Sequence, residues 1–304
     1  MLILIAAPFK VSAKTEGKTS FAIAPGGEVF LLIPSEEKKI HHFNGKGIPV
    51  RRFGGEGPGD GELLAPVDMK YWDGNLYVLD LFGPQIKVFS PGGKQILSFG
   101  KNLPMDQQMK SPVMMRIRHD PDEEKDFIYV LDMGKNLVMI YTVDGKFVDG
   151  FSLPLDYDKY FRWITSFNVD DLGNLWFVSD STDDVSLRHV LVFDKGGAFV
   201  KELSMSKIGG FGNLTDIITQ AEGRFILVDS SVGGSNQSYS GALLMFDEKG
   251  DVVEKKEICD KKTLKFHTPQ RISIVQDSIY VLTNDDMLLR LDMDFNVLAS
   301  WSLK

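Results

Sequence analysis

Short β-rich runs return through this chain at a nearly constant spacing, and that period limits its fold more than any other feature. The runs are VFLL at 29–32, LYVLD at 76–80, IYVLD at 128–132, LWFVS at 175–179, FILVD at 225–229 and IYVLT at 279–283. Their second residues (Phe30, Tyr77, Tyr129, Trp176, Ile226 and Tyr280) lie 47, 52, 47, 50 and 54 residues apart. A second series follows each run, from HHFNGKG at 41–47 through IKVFSPGG at 86–93 to LLRLDMD at 288–294. Gly, Asp and Asn end almost every copy, the chemistry of a strand reversing into the next. A third series, from FAIAP at 21–25 to PQRISI at 269–274, precedes the first, and an extended segment such as GKQILSF at 93–99 closes each unit. Every unit therefore holds four short strands.

One four-stranded sheet cannot bury both faces alone, yet many of these runs are apolar throughout. Six such sheets packed around an axis cover the faces and leave only short edges exposed. The expectation is all-β: a single six-bladed β-propeller domain with four-stranded antiparallel blades over residues 14–304. Because the first and sixth repeats each contain four strands, the ring can close without interleaving its ends. Residues 1–13 stand apart. LILIAAPF at 2–9, followed by Val11-Ser12-Ala13, reads either as a leader remnant lacking the basic start of a secretory signal, or as an extra terminal strand. The leader reading favours a periplasmic or extracellular location over a cytoplasmic one.

Charge narrows the partners. Asp plus Glu total 42 against 34 Lys plus Arg, a net of −8, which repels phosphate backbones and excludes nucleic acid as an expected partner. The basic stretch from Lys261 to Lys265 is too small to reverse this. No run approaches the roughly 18 apolar residues of a membrane span, so no stable membrane insertion is expected, and the chain reads as a monomer. Cys259 is the only cysteine, which rules out an intrachain disulfide.

Residues 53–100 carry a more specific pattern. A glycine-rich crossing (Gly54, Gly57, Gly59, Gly61) leads to Pro66, then Gly74-Asn75, Tyr77-Val78-Leu79-Asp80 and Ile86-Lys87-Val88-Phe89. This stretch resembles an NHL repeat, and the other copies hold its register, with Gly173-Asn174, Trp176 and Val192-Phe193 in the fourth and Pro112 and Tyr129-Val130-Leu131-Asp132 in the third. Phe82-Gly83-Pro84 departs from the asparagine or arginine usual after the second strand. The resemblance implies a propeller, in a family that spans lyases, hydrolases, RNA-binding modules, sensor domains and cell-envelope proteins.

Ligands of propellers commonly lie where the innermost strands converge. Aligning the first strands on PVDMK places Phe21, Asp68, Met114, Phe167, Asp216 and Arg271 at one level. Asp68, Asp216 and Arg271 are the candidate ligand-binding residues there, set against the alternative of a satisfied salt-bridge network. The three apolar members would plug the mouth if they faced it. No cofactor is expected; calcium or another divalent cation through Asp68 or Asp216 is the alternative, since the five histidines show no paired metal-ligand spacing. No catalytic residue is assigned. Asp80, Asp132 and Asp229 recur at second-strand ends and are expected to accept backbone N–H bonds from the following turn. The glycines at 54–61 read as a flexible crossing, and HDPDEEKD at 119–126 and SSVGGSNQSYSG at 230–241 as inserted loops. In PLDYDKYFRW at 154–163, Tyr157, Tyr160 and Trp163 are candidate contacts for a protein or glycan. The leading expectation is a non-catalytic scaffold binding a protein, peptide or cell-envelope component at one mouth. A lyase or hydrolase using the channel carboxylates is the alternative.

Overall fold

The structure, a computed structural model, describes residues 19–33, 38–83, 85–152, 163–180, 188–204, 214–232, 240–260, 265–266 and 268–303. Six four-stranded antiparallel sheets follow one another along the chain, each with its strands in sequence order. Blades 1 to 6 span residues 20–54, 66–99, 112–152, 163–204, 214–257 and 269–302. The innermost strands are Ser20–Ile23, Pro66–Trp72, Pro112–Asp120, Trp163–Val169, Leu214–Thr219 and Pro269–Val275. Each packs against the next, and the sixth returns to the first, so the ring is closed. Among the described residues blades 1 and 6 share no sheet; Phe21, Ile23 and Leu31 instead pack against Tyr280, Leu282 and Leu288. Among the described residues it is side-chain burial that closes the circle. A two-stranded ribbon, Cys259–Asp260 with Lys265–Phe266, sits between the last two blades and was not foreseen.

The middle strands are buried on both faces, as Gln85–Phe89 and Ser278–Thr283 are along their whole length. Continuous apolar runs serve that environment. The outermost strands face solvent on one side, and exposure alternates residue by residue along Gln95–Phe99 and, after Val252, along the rest of Val252–Glu257.

Successive blades are joined by a repeated contact. In every blade the turn between the third and fourth strands closes with a hydrogen bond from its fourth residue back to its first: Gly47 to Asn44, Gly93 to Ser90, Gly145 to Thr142, Gly197 to Asp194, Gly250 to Asp247 and Phe295 to Asp292. All six of these donors have positive φ. The five glycines each lie beneath a side chain from the outer strand of the preceding blade, Trp301, Phe53, Phe99, Phe151 and Leu203 in turn. The sixth joint inverts this. Phe295, at φ 58 and fully buried, fills the space itself and packs in a cluster with Ile258.

Three expectations change in detail. Asp80 accepts hydrogen bonds from Leu64 N (2.8 Å) and Ala65 N (2.6 Å), so it anchors the crossing before its blade rather than the turn after it. Asp132 does both, accepting from Ser111 N and from Gly134 and Lys135 N. The glycine-rich crossing is not loose: buried Lys87 donates to Gly59 O (2.8 Å) and Glu62 O (2.7 Å), and Glu62 accepts from Gly59 N. The insertion at 119–126 is no separate loop. Strands Pro112–Asp120 and Lys125–Asp132 extend through it as a longer hairpin, with Asp120 paired to Arg118 and His119 to Asp126. The middle of the fifth-repeat insertion, 233–239, lies outside the described residues. Among the described residues no helix is long and apolar enough to cross a membrane.

Candidate functional site

Strand register fixes which side chains reach the axis. Ser20 pairs with Leu32, Asp68 with Leu79, Ser166 with Val178, Asp216 with Val228 and Arg271 with Leu282, all at equivalent places on the second strands. Blades 1 and 4 therefore present Ser20 and Ser166 at this level, where alignment by sequence placed Phe21 and Phe167. Blades 2 to 6 share a register shift just before this level, as between Pro66 and Asp68 and between Ile164 and Ser166, so alignment by sequence misplaced the level in blades 1 and 4 by one residue, which exchanges the two faces of a strand. Phe21 packs into the blade 1–6 core, and Phe167 and Met114 into the blade 3–4 core. These apolar residues, which would plug the mouth only if they faced it, belong to blade-to-blade packing.

The polar residues form a network with an approximate twofold repeat. In blades 1–3, Asp68 Oδ1 accepts from Ser20 Oγ (2.9 Å) and its own strand's Met69 N (2.9 Å), and Oδ2 from Met115 N (2.9 Å). In blades 4–6, Asp216 Oδ1 accepts from Ser166 Oγ (2.7 Å) and Ile217 N (3.1 Å), and Oδ2 from Ile272 N (3.1 Å). The symmetry breaks two residues further along the strands, where Lys70 and Arg116 face Ile218 and Ser273 as counterparts. Lys70 Nζ donates to Asp68 Oδ1 (2.7 Å). Arg116 spans the axis, with Nη2 3.1 Å from Asp216 Oδ1 and Nη1 3.5 Å from Asp68 Oδ2. Its guanidinium also lies 5.2 Å from the Phe167 ring centroid.

Both carboxylates are buried. Burial opposes the charge on Asp68, but Lys70, then Arg116 and Arg271, outweigh it and hold the carboxyl well below the usual carboxylate range. The unfolded chain then binds the proton more tightly, so this stabilisation is complete above about pH 5 and declines as pH falls through about 4 and below. The stability gap between the wild type and Asp68→Asn is expected to narrow as urea melts are repeated from about pH 6 down to about pH 3. A gap that does not change with pH would refute the assignment.

Arg271 differs from the rest. It is 8% exposed and lines the axial cavity, a space of about 200 Å³, but among the described residues no hydrogen bond reaches its guanidinium, and only the charge of Asp68 acts on it from nearby. Around it the cavity is lined by Lys70, Asn168 and Ser273, with Trp72, Ile218 and Val275 toward the half-exposed rim. The predicted trio Asp68, Asp216 and Arg271 is thus brought together at the axis. Lys70, Arg116 and the two serines were missed, although they share the trio's face by the two-residue period of a strand. Tyr157 and Tyr160 lie outside the described residues; Trp163 opens the innermost strand of blade 4, and its side chain lies outside them too. Asp170 is turn structure, accepting from Leu172 N, Asn174 N and Trp176 Nε1. Among the described residues no three His, Cys, Asp or Glu side chains come together to hold a metal. Asp68 and Asp216 approach opposite ends of the Arg116 guanidinium instead.

A six-bladed β-propeller with a cationic axial cavity is the class these features define. No family model and no curated protein matches the chain. Among solved structures it is similar to streptogramin B lyase at 13% identity, over 97% of this chain and 86% of that one, with a TM-score of 0.57. A protein of unknown function from Bacteroides caccae matches at 12% identity over 90% of this chain and 92% of that one, with a TM-score of 0.55. The structure described as YCF48 bound to D1 peptide matches at 14% identity over 97% and 82%, with a TM-score of 0.54. At such identities the likeness is one of fold.

Proposed function

We propose that this chain is a non-catalytic recognition scaffold of the NHL-repeat type, working outside the cytoplasm and binding a protein or peptide over the mouth where the axial cavity opens. The observation that carries this reading is the combination of a cationic cavity floor with a half-exposed rim that includes Trp72, Ile218 and Val275. Concave sites with apolar walls and a few convergent polar groups are where propellers and other folds hold ligands. The peptide held by YCF48 on a similar fold is in keeping with such use. A lyase or hydrolase working through Asp68 or Asp216 would have to use buried carboxylates whose oxygens each already accept a backbone N–H bond and which face Arg116.

Photocrosslinking in the native cell tests the reading. A benzophenone amino acid at Trp72 or Val275 is expected to give a discrete adduct that is absent when it replaces Val148, an exposed residue of an outer strand. The same adducts from all three sites, or none from the mouth, would overturn it. The N-terminal residue of the mature protein decides location: Lys14 would establish cleavage after Ala13, whereas Met1 or Leu2 would argue against export by this route.

A further inference from the structure

We propose that Arg271 is the anchor for a carboxylate carried on an apolar body, seated in the axial cavity; this rests on the cavity's being the binding site named above. Among the described residues three cations, Lys70, Arg116 and Arg271, share the cavity with two carboxylates, leaving one positive charge in excess. Both carboxylates accept hydrogen bonds on each oxygen, and Arg116 lies between them. Lys70 is shared with Asp68, although its side chain remains 27% exposed. The surplus therefore falls on Arg271.

A guanidinium that is nine-tenths buried and makes no hydrogen bond among the described residues is an expensive feature. Its counterpart by the twofold repeat, Met114, shows that the same position can be filled by an apolar side chain packed in the core. Arginine there instead leaves a planar fork of N–H donors facing the cavity. That fork matches a carboxylate by paired, parallel hydrogen bonds. Lys70 adds a second cation beside it, Asn168 and Ser273 offer polar atoms, and Trp72, Ile218 and Val275 meet the apolar remainder of the ligand. A peptide's chain end or an acidic side chain both present this chemistry.

Benzoate and its neutral analogue benzamide are the first probes, added at millimolar concentration to the purified full chain. Benzoate is expected to raise Tm and to shift the fluorescence of the tryptophans, and benzamide to do neither. Arg271→Gln should weaken benzoate binding roughly tenfold to a hundredfold, with Arg271→Lys between. Arg271→Gln should keep a cooperative melt close to that of wild type without ligand, because Asp68 retains Lys70 and Arg116; an intact melt separates lost binding from lost folding. Equal responses to benzoate and benzamide, or equal benzoate binding by wild type and Arg271→Gln, would overturn the anchor. Two dipeptides distinguish the sources: binding of acetyl-Leu-Leu with a free carboxylate assigns a chain end, and binding of acetyl-Glu-Leu-amide a side chain. If the Trp72 crosslink persists unchanged in Arg271→Gln, the mouth still binds and only the anchor falls. If benzoate binds but Trp72 gives no adduct, the anchor stands and the scaffold reading falls.

Discussion

Replacing Gly93 with alanine is expected to remove about 3 kcal/mol of stability, the sum of left-handed backbone strain and overpacking. Gly93 sits at φ +89, and an added Cβ would lie 2.6 Å from Cγ and 2.7 Å from Cβ of Phe53. Phe53 belongs to the outer strand of blade 1, so the clash falls on the joint between two blades. Gly92 is the control. Its φ is ordinary and its added Cβ would meet nothing closer than 3.6 Å, so Gly92→Ala should stay within about 0.5 kcal/mol of wild type in urea unfolding. In a Phe53→Ala background the overpacking part of the Gly93→Ala effect should disappear and the strain part remain. Equal costs at Gly92 and Gly93 would show that the joint does not work as described.

Arg116→Met is expected to destabilise by about 3–5 kcal/mol, the scale of a buried ion pair broken by removing one partner. Asp216 depends on it most. Its other bonds come from neutral donors, Ser166 Oγ and two backbone N–H groups, whereas Asp68 keeps Lys70. Adding Asp216→Asn to Arg116→Met removes the stranded charge and should recover a substantial part of the loss. A double variant no more stable than the single would mean that Arg116 acts by packing on Phe167 rather than by charge. The measurement is chemical unfolding of all three variants at neutral pH.

How much was legible follows from which interactions repeat. Blade number and strand order could be read because burial on both faces forces apolar runs at a steady period, and six copies average out the weak ones. Asp68, Asp216 and Arg271 were legible as charged residues in strands otherwise apolar. Ser20 and Ser166 were not, because the neighbouring Phe21 and Phe167 align more naturally with apolar partners. Only the observed pairing, Ser20 with Leu32 and Ser166 with Val178, shows that the serines stand level with Asp68 and Asp216. Arg116 and Lys70 carried a signal that was available, alternation by two from the aligned level, but it becomes informative only once the face lining the axis is known.

The sequence by itself determined a closed ring of six antiparallel sheets, because its period, its turn residues and its doubly buried strands admit little else. It also determined which positions break the repeat. Only the tertiary structure decided what those breaks do. Opposed blades bring Asp68 and Asp216, 148 positions apart in the chain, to the two ends of one guanidinium. The same closure leaves Arg271 facing a cavity with no hydrogen-bond partner among the described residues. Charge balance around an axis is a sum over all six blades, and no single repeat contains it.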